Sequence, residues 1–258
     1  MADRDLVMGG IHATRIALER AGEDSLELWI RRGHDPGIVA AIEAGARLHG
    51  AAVHHVEDST LDKLYGDRHH QGVVLRRRAP RPLDLKTFLT GLDARANAPL
   101  LLVLDNVQDP RNFGACLRAA DAAGVDAVVT TRDKSARMSS VVAKAASGAI
   151  DTVPLITVTN LAAAFAQMQQ TGIWITGAVQ DSTGDLYDTD LTPALALVVG
   201  HEGSGLRRLT RERCDLLVRI PMFGRIESLN VASAAAIGLF EARRQRRKPG
   251  NLTKIPSK

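Results

Sequence analysis

Residues 100–131 read LLLVLDNVQDPRNFGACLRAADAAGVDAVVTT, and this stretch decides the fold class. An apolar run, LLVLD, leads into an alanine-rich helical segment, NFGACLRAADAAG, and then into a second apolar run, DAVVTT. Strand, helix and strand within about thirty residues make the unit from which parallel sheets are assembled. The alternation continues downstream through helix SSVVAKAASG, strand TVPLITV, helix NLAAAFAQMQQTG and strand IWITGAV. Strand ALALVVG, a short helix near LRRLTRERC, strand DLLVRI and helix SLNVASAAAIGLFEARRQRR complete it. Strands this apolar predict a parallel sheet covered by helices on both faces.

Upstream, the elements are shorter. IHATRIALER reads as a helix, SLELWIRR as a strand, PGIVAAIEAGARLHG as a helix with Pro in its first turn, and AAVHHV as a strand. STLDKLYG then reads as a capped helix and QGVVLRRR as a third strand. The expected organisation is a small α/β unit over 1–78, a proline-punctuated linker over 79–98, and an α/β domain over 99–247. Within the linker, LDLKTFLTGL has the spacing of a short docked helix. Residues 248–258 read as a mobile basic tail.

The chain has 258 residues, 45% hydrophobic and 24% charged, which suits one large or two modest globular domains. No apolar stretch reaches the roughly 18 residues that cross a bilayer, and the first residues lack the apolar core of a signal peptide. Two cysteines, Cys116 and Cys214, provide no disulfide framework, so a reducing cytoplasm is expected. Net charge is +4 and the isoelectric point about 9.3. Arginine clusters at Arg76, Arg77, Arg78 and Arg81 and at Arg243, Arg244, Arg246 and Arg247, continued by Lys248, point to a polyanionic partner; the alternative is a solvated face. Aromatic residues are 3%, too few for a stacking platform. Phosphate and shape contacts are the expected mode.

Three motifs carry polar side chains on turns at strand ends, the edge where open α/β sheets bind ligands. In the first, Asn112 and Arg118 open a small-residue helix. Locally, Asn112 reads as an N-cap and Arg118 as a surface charge; functionally, an arginine among alanines implies a specific partner. The second is Gly200-His201-Glu202-Gly203-Ser204-Gly205-Leu206, whose glycines permit close backbone approach. It lacks the Lys-Ser/Thr of a phosphate loop, and Glu202 would repel phosphate, so it suits a neutral or cationic ligand. The third joins Ile220-Pro221-Met222 to Glu227-Ser228-Leu229-Asn230, with Ser228 as a local N-cap candidate for the last helix.

The pairs His54-His55 and His69-His70 lack the spacing of a metal site, and no metal is expected. Cys116, mid-helix among alanines, reads as a small buried hydrophobe rather than a nucleophile.

Taken in order, the three motifs resemble those of the SpoU (TrmH-type, SPOUT) RNA ribose 2'-O-methyltransferases over about Leu100 to Arg247. The first 78 residues resemble the L30e/L7Ae-like RNA-binding domain of one branch, which methylates a guanosine ribose in the peptidyl-transferase P loop of 23S rRNA. The resemblance implies a C-terminal trefoil knot, a homodimer, and S-adenosylmethionine as methyl donor. It implies a catalytic set of Asn112, Arg118, Glu202, Ser228 and Asn230. It assigns the cofactor to Val199, Gly200, Gly203, Gly205, Ile220, Met222, Ser228, Leu229 and Asn230. The family assigns the arginine to activating the ribose hydroxyl. A guanidinium is a poor base, so Arg118 is expected to bridge phosphate and ribose instead. One departure is Ala232, where many relatives carry serine. Arg76, Arg77 and Arg78 are the expected RNA contacts of the first unit. Two other readings stay open: methylation of tRNA, and a non-catalytic RNA-binding protein.

Overall fold

The computed structural model describes residues 5–92, 98–201, 203 and 205–247. The basic tail at 248–258 and the motif residue Glu202 lie outside the described residues.

The first unit runs β1 (Leu6–Gly9), α1 (Ile11–Ala21), β2 (Ser25–Arg31), α2 (Pro36–Leu48), β3 (Ala52–Val56), α3 (Asp58–Tyr65) and β4 (Val73–Arg77). Its sheet has the order β1-β4-β2-β3. Asp35 caps α2 by accepting from the Gly37 amide at 2.8 Å, and Pro36 fills the first turn, where no amide is needed. The strand β1 is absent from the sequence reading. Four residues ending against Gly9-Gly10 are too short to display a period, and only pairing with β4 makes them a strand.

The helix α4 (Leu85–Leu92) follows, placing Leu85, Phe88, Leu89 and Leu92 in the core. The second unit contains β5 (Leu100–Asp105), α5 (Pro110–Ala123), β6 (Ala127–Thr131), α6 (Ser140–Ala146), α7 (Ala149–Thr152) and β7 (Leu155–Val158). It continues with α8 (Leu161–Gln170), β8 (Trp174–Ala178), β9 (Leu195–Gly200), α9 (Arg208–Glu212), β10 (Leu216–Val218) and α10 (Val231–Arg246). The sheet order is β10-β8-β9-β5-β6-β7, and every pairing is parallel. Strand parity divides the core. Leu100, Leu102 and Leu104 face the layer containing α5 and α10, and Leu101 and Val103 face the layer containing α4 and α8. From β5 the chain moves outward through β6 and β7, then crosses to the other side for β8 and β9. The topological switch point therefore lies between β5 and β9, where Asp105 pairs with Gly200.

The two sheets share one core. Leu6, Met8, Ala13 and Ala17 of the first unit join the buried cluster of Val142, Ala146, Ala149 and Ile150 on α6 and α7. The Val7 amide donates to Ser140 Oγ at 3.0 Å, and Lys144 forms an ion pair with Asp67.

The arginine clusters require correction. Parity on β4 turns Arg77 inward: its side chain is 0% exposed and ion-paired to Asp151 of α7, whose side chain is 1% exposed. It cannot touch RNA. Arg76 is half-buried and pairs with Glu27, and Arg78 is exposed. In the second cluster, Arg243 donates to the Ala123 carbonyl at 2.6 Å and to that of Gly124. Arg244 pairs with Glu241, and Arg246 donates to the carbonyls of Leu191, Ala98, Pro99 and Pro193. The guanidinium groups of Arg243 and Arg246 tie α10 to neighbouring loops, while the exposed Arg244 is paired within α10 itself.

Candidate active site

A cleft of about 320 Å³ opens beyond the C-terminal ends of β8, β9 and β10, within the size range of small-molecule sites. Its floor follows from glycine. A Cβ on Gly200 would stand 2.3 Å from the Gly205 carbonyl oxygen, so only glycine lets the loop fold back on the strand. His201 and Gly205 then exchange two backbone hydrogen bonds, at 3.1 and 2.9 Å, with Gly203 and Gly205 at φ 93° and 64°. The opposite wall is the segment after β10, where Ile220, Met222, Ser228 and Leu229 line the cleft.

Of the predicted cofactor residues, Val199, Gly200, Gly203, Gly205, Ile220, Met222, Ser228 and Leu229 line this cleft. Asn230 is not among the lining residues. Its Oδ1 caps α10 by accepting from the Ala232 amide at 2.9 Å, so the N-cap is Asn230 and not Ser228. Its Nδ2 donates to Asn112 Oδ1 at 2.9 Å, joining residues 118 positions apart. Asn112 in turn is not the cap of α5. Asp109 holds that place, accepting from the amides of Arg111 and Asn112 at 2.9 and 2.8 Å, which leaves the Asn112 side chain free for Asn230.

Arg118 lies six residues further along α5, roughly 9 Å of helix rise from Asn112. Its side chain is exposed and contacts Ser147 Oγ at 3.4 Å, outside the cleft lining. The structure thus unites Asn112 with Asn230 and places Ser228 in the cleft, while Arg118 stands apart on its own helix face.

The sequence reading missed the strand-end segment Ala178, Val179, Gln180 and Asp181, together with Arg211, all of which line the cleft. The available signal was position: IWITGAV ends on the same sheet edge as the motif strands but carries no Gly- or Pro-rich punctuation. Arg211 donates to both carboxylate oxygens of Asp181 at 2.9 and 2.8 Å and holds that carboxyl below the ordinary range. Cys116 is fully buried. The paired histidines diverge, with His54 stacked on Trp29 and His55 Nε2 at 3.4 Å from Glu43. Among the described residues, no three His, Cys, Asp or Glu side chains converge as a metal site would require.

A family model described as the SpoU rRNA methylase family matches residues 99–240, and one described as RNA 2'-O ribose methyltransferase substrate binding matches residues 6–83. The 23S rRNA (guanosine-2'-O-)-methyltransferase RlmB of Vibrio vulnificus is 45% identical over 237 residues, 92% of this chain and 96% of the relative. The protein of that name from Shewanella oneidensis is 43% identical over 250 residues, covering 96% and 100% of the two chains. A crystal structure of an AdoMet-bound rRNA methyltransferase from Sinorhizobium meliloti superposes with a TM-score of 0.74 at 25% identity, covering 93% of this chain and 87% of that one.

Proposed function

The chain belongs to the SpoU rRNA methylase family, and on that premise we propose that it methylates the ribose 2'-OH of a guanosine in 23S rRNA, with S-adenosylmethionine as donor. The observation that carries this reading is the glycine-floored cleft at the switch-point edge, beside the Asn112–Asn230 pair. Alkali digestion of RNA incubated with the enzyme and S-adenosylmethionine tests it. A single protected position at a 23S rRNA guanosine is the expected result, since a 2'-O-methyl blocks cleavage there. Protection of tRNA alone, or of nothing, would overturn it. The peptidyl-transferase P loop is the proposed location of that guanosine.

The cleft's chemistry fits the donor. Gly200, Gly203 and Gly205 bring backbone without side chains to the lining, and the carboxylate of Glu227 there suits a cationic ligand, while that of Asp181 is already paired with Arg211. S-adenosylmethionine, when bound, supplies a methyl carbon made electrophilic by its positive sulfur. Val199, Ile220, Leu229 and Val231 furnish apolar walls that exclude water. A guanidinium is a poor base; the role of Arg118 is to bridge the target phosphate and ribose, with any proton acceptance assisted by that phosphate. The Asn112–Asn230 pair fixes the start of α5 against the start of α10 and orients the ribose. Ser228 and Glu202 complete the catalytic set. Alignment of the reacting oxygen dominates the expected rate gain.

Gly200→Ala is expected to lower S-adenosylmethionine affinity at least about tenfold by calorimetry, because the added methyl displaces the Gly205 carbonyl. Unchanged affinity in a folded variant would remove the cleft from the cofactor's path.

The proposed organisation is an RNA substrate-binding domain over 1–78, a linker over 79–98, the methyltransferase domain over 99–247 and a basic tail over 248–258. The separate four- and six-stranded sheets support the division. A trefoil knot is part of the same reading, supported by the two C-terminal segments that wall one cleft. A cytoplasmic homodimer is proposed as well: Phe223 and Ile226, 95% and 67% exposed on the loop after β10, support an apolar contact with a second copy.

A further inference from the structure

We infer that Ser147 positions Arg118 for the reaction and that the N-terminal unit holds the turn which carries Ser147. The inference rests on the reading of Arg118 as the catalytic guanidinium.

Arg118 Nη1 donates to Ser147 Oγ at 3.4 Å. Ser147 closes α6 in the left-handed conformation, φ 51° and ψ 41°. A non-glycine residue there carries a steric cost that glycine would avoid. The backbone thus gives no reason for serine, and the hydroxyl that meets Arg118 does.

The meeting is built by helix packing. A Cβ on Gly114 would stand 2.5 Å from Ala145 Cβ and 2.7 Å from the Val142 carbonyl, so α5 and α6 touch where Gly114 has no side chain. Arg118, one turn later on the same face of α5, is thereby brought to the C-terminal end of α6. The partial negative charge of that end favours a cation. Among the described residues Arg118 has no carboxylate partner. Among the described residues a neutral hydroxyl and a helix end meet its guanidinium, and neither neutralises the charge it would offer a phosphate.

The turn itself is held from the other side. The missing Cβ of Gly148 lies 3.1 Å from Ile16 Cδ1 and 3.7 Å from Ala13 Cα, both on α1. Two residues into α7, Asp151 is ion-paired to the buried Arg77 of β4. Contacts therefore run unbroken from α1 and β4, through the 147–148 turn, to Arg118. The N-terminal unit shapes the active site as well as recruiting RNA.

The test is Ser147→Gly beside Ser147→Asn, which keeps an acceptor and tolerates the left-handed region. Ser147→Gly is expected to melt at or above the parent temperature and to bind S-adenosylmethionine normally. Its kcat should fall about three- to tenfold, the weight of one hydrogen bond, with little change in KM for RNA. Ser147→Asn should recover most of that loss. In an Arg118→Ala background, Ser147→Gly should add nothing to the single-turnover rate. Parent kcat in Ser147→Gly alongside an impaired Arg118→Ala overturns this inference alone; normal turnover in Arg118→Ala overturns the reading of the site beneath it. Ile16→Ala is expected to lower kcat in the same direction. A change confined to KM for RNA would restrict the N-terminal unit to binding and overturn its part.

Discussion

Arg118→Ala is expected to lower methyl transfer by about 10²–10³, the usual cost of losing one preorganised contact to developing charge. Binding of S-adenosylmethionine, read by calorimetry, should be nearly unchanged, because Arg118 lies outside the residues that line the cleft. The fold should also survive. The side chain is exposed, and among the described residues its one side-chain hydrogen bond is to Ser147 at 3.4 Å. Arg118→Lys should recover little, since an ammonium cannot bridge phosphate and ribose with the planar fork of a guanidinium. A folded Arg118→Ala enzyme with near-parent turnover would return Arg118 to the surface-charge reading.

Arg77→Ala should act through stability instead, costing about 3–5 kcal/mol in chemical denaturation. The side chain is 0% exposed, and its removal leaves the Asp151 carboxylate buried without its cation. Burial already pushes the Asp151 carboxyl up, with Arg77 opposing that shift. Without Arg77 the folded state binds a proton more tightly than the unfolded state does. Stability of the variant then falls as pH rises above the ordinary carboxylate range, and the deficit against the parent should be smaller at pH 5 than at pH 8. Removing both charges, as Arg77→Met with Asp151→Leu, should restore most of the loss. An Arg77→Ala enzyme as stable as the parent would show that the pair contributes nothing to docking the two units.

Arg77 also illustrates where sequence reasoning stops. LRRR reads as a basic cluster because composition counts charges without regard to side-chain direction. In a strand, successive side chains point to opposite faces, and β4 happens to present the middle arginine to an aspartate 74 positions later. Arg243 and Arg246 mislead in the same way: each is recruited by carbonyls from loops remote in sequence. The short strand β1 is invisible for a related reason, since four residues acquire a strand's identity only from the partner they pair with.

The sequence by itself determined the parallel sheet, because both-face burial writes long apolar runs such as LLLVLD and ALALVV into the chain. It also determined the glycine loop and the polar residues beside it, because backbone closeness at Gly200 admits no side chain and strand ends show as punctuation. Those are local constraints, and a linear text can carry them. Tertiary structure alone decided which polar atoms meet. It paired Asn112 with Asn230, added Gln180, Asp181 and Arg211 to the cleft, and set Ser147 under Arg118. Each of these meetings depends on helix crossings and on the order of strands in the sheet, quantities that sum contacts over the whole chain and leave no period in any one segment.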